Sequence, residues 1–189
     1  MTPSDDSFSL TLDPQVRALY SRATVGMKGT QPPEKRAVTM LHIDDDQVIV
    51  ATGDGRQPSR AIVLALGSVR TSRELFHHDP PTPLEMENAI TATENQVIRA
   101  RAIIAAHSEL MTNAASIKQI ARFAGLSDPG QRILSIRLIE RAFESLAAVT
   151  LGRPASIERV PAGTAFAAAL LILREFMHHL QFTEIILAE

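Results

Sequence analysis

The chain has 189 residues, 45% of them hydrophobic and 21% charged, with a formal net charge of −2. That length fits one globular domain, and the balance carries neither the basic stripe of a nucleic-acid binder nor the acidity of a disordered chain. There is no Cys, no Trp and a single Tyr, which excludes disulfides, thiolate catalysis and thiolate zinc sites and offers few aromatic faces for stacking bases.

Residues 1–9 are polar and read as a frayed end without the basic and apolar regions of a signal peptide. Asp13-Pro14 marks a capped helix entry, followed by Val16, Leu19, Tyr20 and Ala23 at helical spacing. Residues 26–36 are Gly- and Pro-rich and read as a connection. Next come three β-rich runs, 38–43, 47–51 and 61–66, the first pair joined through Asp44-Asp45-Asp46 and the second through a Gly-rich turn. Three such runs in about thirty residues predict an antiparallel meander.

Residues 68–76 predict a short helix ended by His77-His78-Asp79-Pro80-Pro81. Thr82-Pro83-Leu84-Glu85 then spells a capping box with Pro at the first helical position, opening a helix expected to reach Ala106. Residues 108–113 hold a short candidate strand, 115–123 a helix stopped at Gly125, and Ser135 a cap before Ile136, Ile139, Phe143 and Leu146. Residues 158–160 are a candidate strand, followed by a long Ala/Leu helix from Gly163 to Leu180 and a last strand over 183–187. The order predicts an α/β fold with a mixed sheet. The longest apolar run, 165–173, is too short to span a bilayer. A soluble cytoplasmic protein is expected.

That element order resembles a ribonuclease H-like, actin-type ATPase domain with helices on both faces. Particular segments resemble the Ppx/GppA family of exopolyphosphatases and guanosine pentaphosphate phosphatases. These are Val63-Leu64-Ala65-Leu66-Gly67-Ser68-Val69-Arg70, Glu74-Leu75-Phe76, Asp79-Pro80-Pro81-Thr82, Arg159-Val160-Pro161-Ala162-Gly163 and the final strand. The resemblance covers residues 10–189 and implies a single actin-like domain equivalent to the second domain of those phosphatases, without room for the first.

The resemblance also implies sites that the sequence fails to fill. The family's phosphate turn, Asp-Ile-Gly-Gly-Gly-Ser, corresponds here to His42-Ile43-Asp44-Asp45-Asp46-Gln47. Glycines there let backbone amides reach phosphate oxygens, whereas carboxylates repel them, by about 1 kcal/mol per charge pair at 4 Å in water. The family's water-orienting Glu falls on Gln15, which cannot act as a general base. Its second anion turn falls on 111–116, where Thr112 and Asn113 remain but no Gly does.

No catalytic residue is therefore assigned. The candidate cleft residues are Asp44, Asp45, Asp46, Gly67, Ser68, Thr112, Asn113 and Gly163, with Gly67 read as a strand end and Gly163 as a close packing point. The acidic triplet is either a solvated hairpin tip or, under an alternative reading, a Mg²⁺ site of an exopolyphosphatase or nucleotide-phosphate phosphohydrolase completed by a dimer mate. The favoured expectation is a pseudo-phosphatase module without a cofactor, covered on its open face by a second copy or a protein partner and binding neither nucleic acid nor membrane. The surfaces suspected for that contact are the helix after Pro83 and the Ala-rich helix from Gly163. The His77-His78 and His178-His179 pairs read as solvated or helix-end residues rather than metal ligands.

Overall fold

The computed structural model describes residues 13–24, 37–54, 56–126, 128 and 130–188. The expected frayed end and the 26–36 connection lie outside the described residues. Helix α1 (Pro14–Thr24) precedes strands β1 (Val38–Ile43), β2 (Val48–Gly53) and β3 (Pro58–Leu64). Helices α2 (Ser68–Leu75) and α3 (Pro83–Val97) follow, with a 3₁₀ turn over Ile98–Ala102. Then come β4 (Glu109–Thr112), α4 (Ala115–Phe123), β5 (Ile133–Ser135), α5 (Ile136–Thr150), α6 (Ala155–Glu158), α7 (Thr164–His179) and β6 (Glu184–Leu187).

The strands form one mixed sheet in the order β3-β2-β1-β4-β6-β5. The meander is antiparallel, with Leu41 opposite Val50 and Val50 opposite Ile62, and a bulge at Thr52/Gly53. Strands β1, β4 and β6 run parallel, and β5 closes the far edge antiparallel to β6. Because side chains alternate along a strand, Leu41, Ile43, Val48 and Val50 enter the larger core, while Val38, Met40, Ile49 and Ala51 enter a smaller one. Helix α1 covers the smaller core with Val16, Tyr20 and Ala23. The other face carries α2, α3, α4 and α5 grouped around α7.

Helix α7 is apolar all round because it is buried all round: every residue from Phe166 to Leu173 is buried. The sequence expectation that this Ala-rich helix is an open surface is thereby corrected. Its small side chains serve close approach to its neighbours within the chain. The charged exception is Glu175, 2% exposed, which pairs with Arg174 and with Nε2 of His179 at 3.1 Å. Burial works against the Arg174 charge, but the Glu140 and Glu175 carboxylates hold its pKa above the ordinary value.

Three further expectations change. The strand expected at 158–160 is instead the end of the one-turn helix α6: Pro154 opens it, Arg159 turns left-handed at φ 57°, and the Val160 amide bonds to the Ala155 carbonyl. Helix α3 stops at Val97 and tightens into the 3₁₀ turn instead of running to Ala106. Ser135 stands at the N-cap of α5, but its hydroxyl makes no capping bond; the Ile136 amide is satisfied by the Thr183 carbonyl.

Candidate functional site

The capping box forms as its sequence dictates, with Thr82 and Glu85 each accepting the other's backbone amide. The Glu85 carboxylate also takes the His77 amide at 2.9 Å and Nδ1 of His78 at 2.9 Å, so it knots the whole 77–82 loop. These donors, the Thr82 amide first, lower its pKa to about 2. His78 is thus tied to a carboxylate instead of joining His77 at a metal. His178 and His179 close α7, where their position favours the helix dipole.

Asp44, Asp45 and Asp46 form an exposed tip between β1 and β2. The turn satisfies itself: the Asp44 amide bonds to the Gln47 carbonyl at 3.0 Å, and the Asp45 amide to the Asp44 carboxylate at 2.9 Å. Its carbonyls face the start of α2. The amide of Ser68 donates to Asp44 O, and those of Val69 and Arg70 to Asp45 O, at 2.9–3.0 Å. The Ser68 hydroxyl adds a bond to the Asp45 carboxylate at 3.1 Å. The first amides of α2, otherwise a ready anion site, are taken by the chain itself.

Gly67 is the close packing point of the region. A Cβ there would lie 2.3 Å from the Asp45 carbonyl oxygen and 2.6 Å from the Asp46 carbonyl carbon. The reading of Gly163 as the tight position is corrected: nothing lies within 4 Å of a Cβ built on it, and its φ of 96° is what calls for glycine. Gly163 is exposed at the N-cap of α7, and the next residue, Thr164, bonds to Ser72 of α2 at 2.6 Å.

The segment expected as a second anion turn makes structural bonds. Thr112 Oγ1 accepts the Ala114 amide at 3.0 Å, and the Thr112 carbonyl accepts the Ala188 amide at 2.7 Å. Ser116, at the start of α4, donates to the Ile43 carbonyl at 2.9 Å and ties that helix to the end of β1. Two residues past the Met40–Met111 pairing, His42 and Asn113 interact. The His42 Nδ1 and Asn113 Oδ1 atoms are buried without a well-formed hydrogen bond. Burial pushes the His42 pKa below its ordinary value, outweighing the Asp44 charge and the Asn113 side chain, which pull it up.

The structure therefore brings the turn of Asp44–Asp46, Gly67 and Ser68 into direct contact, and places Thr112 and Asn113 beside them at the carboxyl ends of the parallel strands. Gly163 stands one step removed, through Thr164 and Ser72. The half-buried His42 was not a candidate from sequence, although alternation along β1 puts it on the face of Val38 and Met40. Among the described residues no group of three His, Cys, Asp or Glu side chains is arranged to hold a metal ion.

No family model and no curated protein matches the chain. Solved structures do. The Ppx/GppA family member of Aquifex aeolicus superposes with a TM-score of 0.71 at 15% identity, over 93% of this chain and 58% of that one. An exopolyphosphatase from Cytophaga hutchinsonii gives 0.63 at 13% identity, over 90% and 57%. An exopolyphosphatase-like protein gives 0.62 at 11% identity, over 90% and 62%. The chain has the Ppx/GppA fold. It spans less than two thirds of the length of these neighbours, and the likeness is one of fold. Among the described residues, no helix of this Ppx/GppA-like domain is long and apolar enough to cross a membrane.

Proposed function

We propose that the chain is a non-catalytic Ppx/GppA-like domain, equivalent to the second actin-like domain of those phosphatases, that works as a binding or regulatory module. The observation that carries this reading is the Asp44 carboxylate seated on the Asp45 amide at 2.9 Å. A turn whose Asp44 and Asp45 amides are already taken by its own chain, and which carries three carboxylates, offers a phosphate fewer donors and an unfavourable field. Gln15 in place of the expected base points the same way. So does Asp13, whose carboxylate is committed to the Gln15 amide at 2.7 Å.

In this reading the domain acts through a partner protein or a second copy. The start of α3, where Leu84 is 66% exposed, is one apolar point of contact.

The test is incubation of the purified protein with polyphosphate, and separately with a guanosine polyphosphate, in the presence of Mg²⁺. The expected result is no phosphate release and no thermal stabilisation. Phosphate release that is abolished by Asp45→Asn would overturn the proposal in favour of a Mg²⁺-dependent phosphohydrolase.

A further inference from the structure

At the opposite end of the parallel strands, where β4 and β6 begin, the loop before β4 and the end of α7 line an open cavity of about 430 Å³, with Arg101, His107 and Gln181 exposed at its surface. Its polar lining comes from Arg101, His107, Ser108, His179 and Gln181, and its apolar lining includes Leu180 and Phe182. No Asp or Glu is among the lining residues, although the chain as a whole carries a net charge of −2.

The polar groups are held in place from behind. Arg101 donates one guanidinium hydrogen to the His179 carbonyl at 2.8 Å, which fixes the head group at the rim and leaves its other donors open. The buried Glu175 engages Nε2 of His179 at 3.1 Å, and Glu94 lies 3.7 Å from the same nitrogen, so both carboxylates are turned to the imidazole. Ser108 anchors the loop through Thr39 at 2.8 Å, and the Glu109 amide bonds to the Ala37 carbonyl.

The backbone gives an independent observation. Among the described residues three non-glycine positions have positive φ, and two of them, His107 at 58° and Gln181 at 61°, line this cavity. Gly is the unstrained choice at both, and above all at Gln181, just past the end of α7. Left-handed Gln181 ends α7, with the Phe182 amide bonded to the Met177 carbonyl at 2.9 Å, while His107 lies in the loop before β4, and backbone strain of this kind gathers at binding sites. Here it brings an imidazole and an amide to the same cavity as Arg101.

We infer that this cavity binds a small organic anion, a carboxylate or phosphate borne on a short apolar body, with Arg101 and His107 receiving the charge and Leu180 and Phe182 receiving the body. The site is separate from the Asp44–Asp46 turn and does not depend on whether that turn is inert.

The test is a ¹⁵N NMR titration of the full chain with phenyl phosphate, with benzyl alcohol as the uncharged control. Phenyl phosphate at millimolar concentration should shift the amides of His107 and Gln181 and leave those of Asp45 and Ser68 in place. Arg101→Gln and His107→Asn should each weaken binding about tenfold, as expected for loss of a charge-assisted contact. Asn accepts the left-handed backbone, so His107→Asn stays informative if Arg101→Gln disturbs the end of α7. Absence of shifts at His107 and Gln181 overturns the inference, as do equal binding of benzyl alcohol and unchanged affinity in His107→Asn. Shifts confined to Asp45 and Ser68 overturn it as well, by placing the anion at the other end.

Discussion

The carbonyl oxygen of Asp45 lies where a side chain on Gly67 would begin, 2.3 Å from an ideal Cβ. The φ of Gly67 is −175°, extended backbone that any residue adopts, so the demand for glycine there is one of space. Gly67→Ala must push the hairpin off the start of α2. Overpacking together with strained amide bonds should cost about 3 kcal/mol, read from urea denaturation.

Gly163→Ala makes the converse case. It meets open space but forces φ of 96° on an L-residue, at a cost of about 1–3 kcal/mol. The two variants separate by structure as well as by size. Gly67→Ala should perturb the amide signals of Asp45, Ser68 and Val69, while Gly163→Ala leaves them in place.

Glu85 predicts an acid-sensitive contribution. Its pKa in the fold is about 2 against an ordinary 4.5, a depressed value, so its stabilisation is complete above 4.5 and lost as pH falls toward 2. Urea midpoints of the native protein and Glu85→Gln should differ at neutral pH and converge across that window. A gap that stays constant down to pH 2 would count against the carboxylate as the source.

His42 acts in a different pH range and with another origin. Its pKa is lowered from 6.5 by burial, so the unfolded chain takes up a proton that the folded one resists. The cost is absent above that value and grows as pH falls below it. His42→Gln should flatten stability in this range and leave the Glu85 window untouched, as a pH series of urea midpoints would show.

Much of this fold was legible in the sequence because local rules agreed with the final structure. The capping box at Thr82-Glu85, the meander and the Gly125 stop each depend on neighbours within a few residues. Strand β5 was not legible, since three residues with only Leu134 buried carry no periodicity. Residues 158–160 misled because the β-favouring Val160 mattered less than Pro154 and a left-handed Arg159. At the site, the sequence displayed the acidic triplet but not what the turn's carbonyls bind. That contact joins residues more than twenty positions apart. The cavity lined by Arg101, His107 and Gln181 was invisible for the same reason: it is assembled from two loops that meet only after β4 and β6 pair.

Glu175 supplies the last prediction. Glu175→Leu takes the buried partner from His179 and one of two carboxylates from Arg174, which keeps Glu140 at 2.9 Å, and should cost about 3 kcal/mol. Replacing Arg174 by Leu as well should recover part of it, since an apolar pair avoids desolvating the charges while Glu140, at the surface, is left to water. Chemical denaturation of the single and double variants measures both terms. A double variant as unstable as the single one would show that the pair's geometry, and not its charge, matters.

The seat of α2 on the β1–β2 turn consists mainly of main-chain groups: the carbonyls of Asp44 and Asp45 take three of the helix's first amides, and a bare Cα at Gly67 lets them approach. A main-chain carbonyl is the same acceptor for every residue type. The turn's side chains can therefore vary, three carboxylates included, without loosening the joint between hairpin and helix. An architecture shared at 11–15% identity is compatible with such a joint, and the acidic tip is a place on this scaffold where surface chemistry can be rewritten at little structural cost.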